Sequence, residues 1–146
     1  GILPVSFVAG RDDVIGVLTP GSEGSTFGGY PLASVVGIYA IKTLIDEKLA
    51  DNANLRGTQL LNGLNKIKTD FPDKIKEVRG RGLLTAFEMH EAKHLDGHRV
   101  SVGLLDRGIY AKETHHSTVR LAPALTIQEN QINILLDAIY DVIKNI

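Results

Sequence analysis

Cysteine and tryptophan are absent from the 146 residues, and aromatic residues of all kinds make up only 5%. The missing cysteine removes disulfides, thiolate metal sites and a cysteine nucleophile together, and agrees with a reducing compartment. So few aromatics leave no stacking platform for bases. With 16 Lys+Arg against 17 Asp+Glu, a formal charge of −1, there is no basic excess to follow a phosphate backbone. Nucleic acid is therefore not an expected partner. No apolar run approaches the roughly 18 residues of a membrane span, and no charged-then-apolar leader opens the sequence. A cytoplasmic location without a membrane partner is the default expectation. Familiar catalytic signatures are missing as well: no G-x-S-x-G elbow, no H-E-x-x-H, no Walker loop and no G-x-G-x-x-G fingerprint.

What is present is enough for a folded domain, since 43% of the residues are hydrophobic and 23% charged. The sequence starts at Gly1, has Met89 as its one methionine, and opens with Ile2 to Ala9, which reads as an apolar strand already under way. This is the expected look of a piece of a longer protein.

The most informative stretch is Gly21-Ser22-Glu23-Gly24-Ser25-Thr26-Phe27-Gly28-Gly29-Tyr30-Pro31, where glycines and hydroxyls run into a helical pattern. Glycine allows positive φ and close approach of main-chain N–H groups to an anion, and a helix N-terminus adds unpaired donors and a positive dipole end. Pro31 suits the first helical turn. Composition alone leaves two readings open, a phosphate seat and an ordinary surface loop.

Beyond the loop, Leu32, Val35, Val36, Tyr39 and Ala40 recur at helical spacing, and Leu60, Leu61, Leu64 and Ile67 continue the period until Phe71-Pro72; together they predict one long, kinked helix. Alternation between Lys76 and Met89 predicts a strand, with Arg79 and Arg81 bracing the glycine step at Gly80 and Gly82. A short helix over Arg99–Leu105 should end at Gly108, followed by strands starting at Ile109 and at Thr118. Thr126 with Glu129 forms a capping-box signature ahead of the stripe Ile132, Leu135, Leu136, Ile139, Val142 and Ile143. The order predicts an α+β fold, a small sheet with helices on one face.

Two residue sets invite a chemical reading against a bland one. His90, His94 and His98 lie four apart, and His115-His116 lie elsewhere, but Gly97 and the polar surroundings favour solvated loop histidines, so no metal site is expected. Arg120, flanked by Val119 and Leu121, is either a ligand-holding cation or a solvent-facing residue of an alternating strand.

Pro4-Val5-Ser6, Gly24-Ser25-Thr26-Phe27-Gly28-Gly29, Val78-Arg79-Gly80-Arg81-Gly82-Leu83, Ala111-Lys112-Glu113-Thr114-His115 and Val119-Arg120-Leu121-Ala122-Pro123 together resemble the class III pyridoxal-phosphate (PLP) aminotransferases. The Ala111–His115 and Arg120–Pro123 segments are most similar to the members that act on ornithine, rather than on acetylornithine or 4-aminobutyrate. The resemblance covers nearly all of this chain but about the C-terminal third of such an enzyme. It implies the small C-terminal domain of a fold-type I PLP-dependent transferase: residues 1–30 would be a remnant strand and phosphate-reaching loop of the large domain, and residues 31–146 the small domain with its leading long helix. It further implies that Ser25 and Thr26 bind the PLP phosphate of the neighbouring subunit in a homodimer, and that Arg120 holds the α-carboxylate of the amino or 2-oxo acid substrate.

The implied reaction moves the δ-amino group of ornithine to 2-oxoglutarate. The lysine that carries the cofactor and the aspartate that pairs its ring nitrogen would precede Gly1, so no catalytic residue is assigned and the chain alone is expected to be inactive. Tyr30 stands where the family usually has asparagine, and Ala124 where it usually has a second proline. The alternative expectation is a non-catalytic association module, or a split-protein half that pairs with a lysine-bearing partner.

Overall fold

The computed structural model describes residues 3–90 and 96–146. They fall into two compact units, Gly1–Glu47 and Lys48–Ile146. The division expected after residue 30 lies one helix earlier than this one.

In the first unit, the apolar residues 4–10 carry no strand, contrary to the expectation from sequence. A strand exists through its ladder hydrogen bonds, and no described residue of the unit supplies a ladder for this segment. A single helical turn, α1 (Asp12–Ile15), follows, with Asp12 and Asp13 at its positive end and Arg11 paired to Asp13. The main helix is α2 (Pro31–Asp46), with Pro31 at its start as expected and Tyr30 as N-cap, without a side-chain cap bond. Its apolar stripe is exposed: Leu32, Ile38, Tyr39 and Ile45 face outward, and none of the described residues 3–47 is buried.

The expected long helix is two helices. After α2, Lys48 takes a left-handed conformation (φ 51°, ψ 41°), and α3 (Leu49–Asp70) begins immediately behind it. Left-handed geometry at a residue with a Cβ interrupts the i→i−4 ladder, which parts the two.

In the second unit, α3 leads into a four-stranded antiparallel sheet of order β1-β2-β4-β3, formed by β1 (Ile75–Arg81), β2 (Leu84–Met89), β3 (Lys112–Thr114) and β4 (Thr118–Leu121). The stretch expected to be one strand is thus a hairpin, because Gly82 at φ 55° turns the chain between Arg81 and Leu84. Gly57 on α3 meets this turn: a Cβ there would overlap the Gly82 main chain, so the missing side chain is what lets helix and hairpin close up. Helix α4 (Gly97–Leu105) is capped by Asp96, whose side chain accepts from the Arg99 N–H at 2.6 Å.

The last helix, α5 (Glu129–Asn145), starts two residues later than the Thr126/Glu129 pattern suggests. Asn52 of α3 donates to the main-chain oxygens of Leu125 (2.6 Å) and Ile127 (3.1 Å). Those carbonyls are held in the preceding turn, and the cap is Gln128, whose N–H donates to Gln131 Oε1 at 2.9 Å. The stripes then meet as expected. Leu60, Leu64 and Ile67 of α3 pack with Ile132, Ile139 and Ile143 of α5, with Val100 and Leu104 of α4, and with Phe87 and Val119 of the sheet. Helices therefore cover one sheet face, and the other is open. Among the described residues no helix is long and apolar enough to cross a membrane.

Candidate functional site

Two places carry candidate chemistry, one in each unit. In the first unit the Gly/Ser bend is folded back on itself by short main-chain bonds. The Ser22 N–H donates to Thr19 O (2.9 Å), Gly28 N–H to Ser25 O (3.1 Å) and Tyr30 N–H to Phe27 O (3.2 Å). Gly21 and Gly29 have φ of 89° and 72°, and a Cβ at either would meet nothing within 4 Å. Backbone conformation, not crowding, is what calls for glycine there. Ser25 and Thr26 are exposed, and among the described residues their hydroxyls make no hydrogen bond. Among the described residues the N–H groups of Thr26, Phe27 and Gly29 also have no main-chain partner. Free donors therefore cluster just ahead of the uncapped N-terminus of α2, the arrangement that attracts a phosphate.

In the second unit the open sheet face is built by register. Arg79 of β1, Ala86 of β2, Arg120 of β4 and Lys112 of β3 are successive cross-strand partners, so they share one row. Neighbours Val119 and Leu121 are buried in the core, which turns Arg120 outward. The two arginines differ in their company. Arg79 Nη1 donates to Glu88 (2.9 Å) and Glu77 (3.0 Å), and Lys76 Nζ donates to Glu88 at 2.7 Å. The Lys76 hydrogen bond first, and that of Arg79 second, holds the Glu88 carboxyl below the ordinary carboxylate range; the Arg79 guanidinium is shifted upward chiefly by Glu88. Arg120 is exposed and has no hydrogen bond or ion pair with any described residue. Its fork is free to take a carboxylate in two parallel bonds.

The bracing role expected of Arg79 is instead a cross-strand ion pair, and Arg81 is exposed without a partner among the described residues. Of the histidines, His98 Nδ1 lies 2.9 Å from Glu113 Oε2, and His115 and His116, at φ 51° and 61°, form the turn between β3 and β4. Both turn residues are exposed. No cluster that could hold a metal occurs among the described residues, and His94 of the His90/His94/His98 set lies outside them. Lys112, which the sequence offers only as part of the Ala111–His115 segment, is the cross-strand partner of Arg120, because the β3–β4 turn is centred on His116.

Comparison with known proteins shows what the chain as a whole is similar to. The family described as Aminotransferase class-III matches residues 1–143. The mitochondrial ornithine aminotransferase of Arabidopsis thaliana is 40% identical over 146 residues, covering 99% of this chain and 31% of that protein. Ornithine aminotransferase 1 of Staphylococcus aureus is 41% identical over 145 residues, with 99% and 35% covered. The chain thus spans about a third of the length of the curated relatives it matches. Among solved structures, the ornithine aminotransferase of Plasmodium yoelii superposes with a TM-score of 0.85 at 33% identity, over 92% of this chain and 35% of that one. The enzyme from Toxoplasma gondii, in a structure with partial occupancy of PLP at its active site, gives 0.83 at 40% identity, over 92% and 32%. On sequence and fold together, the chain belongs to the class III aminotransferase family and is similar to about a third of the length of ornithine aminotransferases.

Proposed function

We propose that this chain is the C-terminal portion of an enzyme that moves the δ-amino group of ornithine to 2-oxoglutarate with PLP as cofactor. One observation supports the reading above the others: Arg120 stands on the open sheet face with no carboxylate among the described residues, while Arg79 in the same row is held by two glutamates. A cation left without a partner beside a cation that has two is what a substrate carboxylate needs.

The residues present also fit the cofactor's phosphate. A phosphate monoester wants several donors converging from a flexible main chain, and the bend offers the Ser25 and Thr26 hydroxyls together with the unengaged N–H groups of Thr26, Phe27 and Gly29. PLP, when bound, supplies the electron sink that lets an amino group pass between carbon skeletons. What this chain contributes is binding and orientation: the bend fixes the anionic end of the cofactor, and the Arg120 fork fixes the substrate carboxylate. By resemblance the bend serves the neighbouring subunit of a homodimer. By resemblance, none of Lys42, Lys48 and Lys112 stands at the position of the lysine that carries the cofactor, so the chain by itself is read as inactive. The runner-up reading, an association module, draws on the exposed stripe of α2, Leu32, Ile38, Tyr39 and Ile45.

Substitution of Arg120 in the complete enzyme that contains this chain separates the two. Arg120→Leu should raise the KM for 2-oxoglutarate on the order of 100-fold, as expected for loss of a charge-assisted bidentate contact. Arg120→Lys should recover only part of it, because the fork geometry is lost. An unchanged KM in both variants would remove the carboxylate role and favour the association module.

A further inference from the structure

We propose that Lys112 is a second cation of the carboxylate seat, forming with Arg120 a two-cation shelf on the open sheet face that grips the carboxylate of the 2-oxo acid. The inference rests on the reading of Arg120 given above and adds to it a residue that determines affinity for that substrate.

Register carries the first step. Lys112 on β3 is the direct Cα partner of Arg120 on β4, so both side chains leave the sheet on the same side, from α-carbons about 5 Å apart. The neighbouring carboxylate is engaged elsewhere: Glu113 pairs with Val119 of the core-facing row and bonds His98 of α4 at 2.9 Å. Lys112 and Arg120 are both exposed, and neither has a carboxylate partner among the described residues. On the other side of Arg120 the row position is Ala86, whose small apolar side chain brings no carboxylate to the pair.

Charge carries the second step. Like charges placed directly opposite on a sheet repel, and this sheet neutralises Lys76 and Arg79 of β1 with Glu77 and Glu88. At Lys112 and Arg120 it does not. An anion lying across the pair relieves the repulsion and gains from both groups, the guanidinium fixing orientation and the ammonium adding a mobile point charge. The bland explanation is that β3 is an edge strand and a lysine there discourages edge pairing. That role needs no arginine opposite and makes no demand on a substrate, so the two differ in what they predict.

The test uses the complete holoenzyme with Lys112→Gln, Lys112→Arg and Arg120→Leu. Lys112→Gln should raise the KM for 2-oxoglutarate about three- to tenfold, with the effect carried by KM rather than kcat, and Lys112→Arg should restore most of the affinity. The KM of Lys112→Gln should also respond less to raising salt from about 0.05 to about 0.5 M, since one of the two charges is gone. Without substrate, its thermal midpoint should equal or exceed that of the unmodified enzyme. An unchanged KM in Lys112→Gln beside a large rise in Arg120→Leu overturns the proposal and leaves the Arg120 reading standing. An unchanged KM in Arg120→Leu overturns both. A lowered midpoint in Lys112→Gln that Lys112→Arg does not repair marks a structural residue and also overturns the proposal.

Discussion

Residues 48–146 and residues 3–47 carry the same kind of sequence, apolar side chains at helical spacing beside polar ones, and end in opposite states. In the later region, stripes from α3, α4 and α5 meet a sheet face, and side chains such as Phe87 and Leu64 are 0% exposed. In the earlier region, Ile38 is 65% exposed and Phe27 81%. An amphipathic helix records the existence of a partner layer but not its location, and only the later region holds enough layers to close a core of its own. The candidate chemistry follows this split. The proposed carboxylate seat is built by strand register on a packed sheet, whereas the proposed phosphate bend is fixed by its own short hydrogen bonds.

Core deletions break the comparison most sharply. Phe87→Ala should cost about 3–5 kcal/mol in denaturant unfolding of this chain, while Ile38→Ala should stay within about 0.5 kcal/mol. Equal costs would show α2 sharing in a core. A gentler contrast comes from one substitution made in two helices. Gly57→Ala should destabilise on the order of 1–3 kcal/mol, because the added Cβ falls on the Gly82 main chain, which cannot rotate aside; this exceeds the helix-propensity gain of about 1 kcal/mol. Gly37→Ala meets only the Val5 methyls, at 3.8 Å, so propensity wins and α2 should gain amide-exchange protection. Destabilisation by both would remove the distinction.

The smallest effect is a pH dependence of the sheet. Because Lys76 and Arg79 depress the Glu88 pKa, the unfolded chain binds its proton more readily than the folded one. The associated stability is fully present above the ordinary carboxylate range and is lost as pH falls through the depressed folded value. Glu88→Gln should flatten the acid limb of a stability-against-pH curve, and an unchanged limb would show that the ion pairs do not contribute.

The helices of the later region were legible because burial and the 3.6-residue period agree at Leu60, Leu64 and Ile67 and again at Ile132, Ile139 and Ile143. What misled was always an interaction distant in sequence or a conformation that its residue does not advertise. Asn52 moves the start of α5 by holding carbonyls more than seventy positions away. Lys48 ends a helix in left-handed geometry with neither glycine nor proline to announce it. The opening apolar run has the composition of a strand, but pairing is a property of two segments. Of the candidate site, Ser25 and Thr26 were visible as composition and Arg120 as alternation between Val119 and Leu121. Lys112 was not, since its place depends on a turn at His115-His116 made by two non-glycine residues at positive φ.

The assignment of the Gly21–Gly29 bend to the cofactor phosphate is tested most directly by PLP retention in the complete holoenzyme carrying Thr26→Ala. Dissociation followed by absorbance of the bound cofactor should show a Kd for PLP raised about tenfold, as for loss of a charge-assisted hydrogen bond. A Kd equal to that of the unmodified enzyme would contradict the assignment.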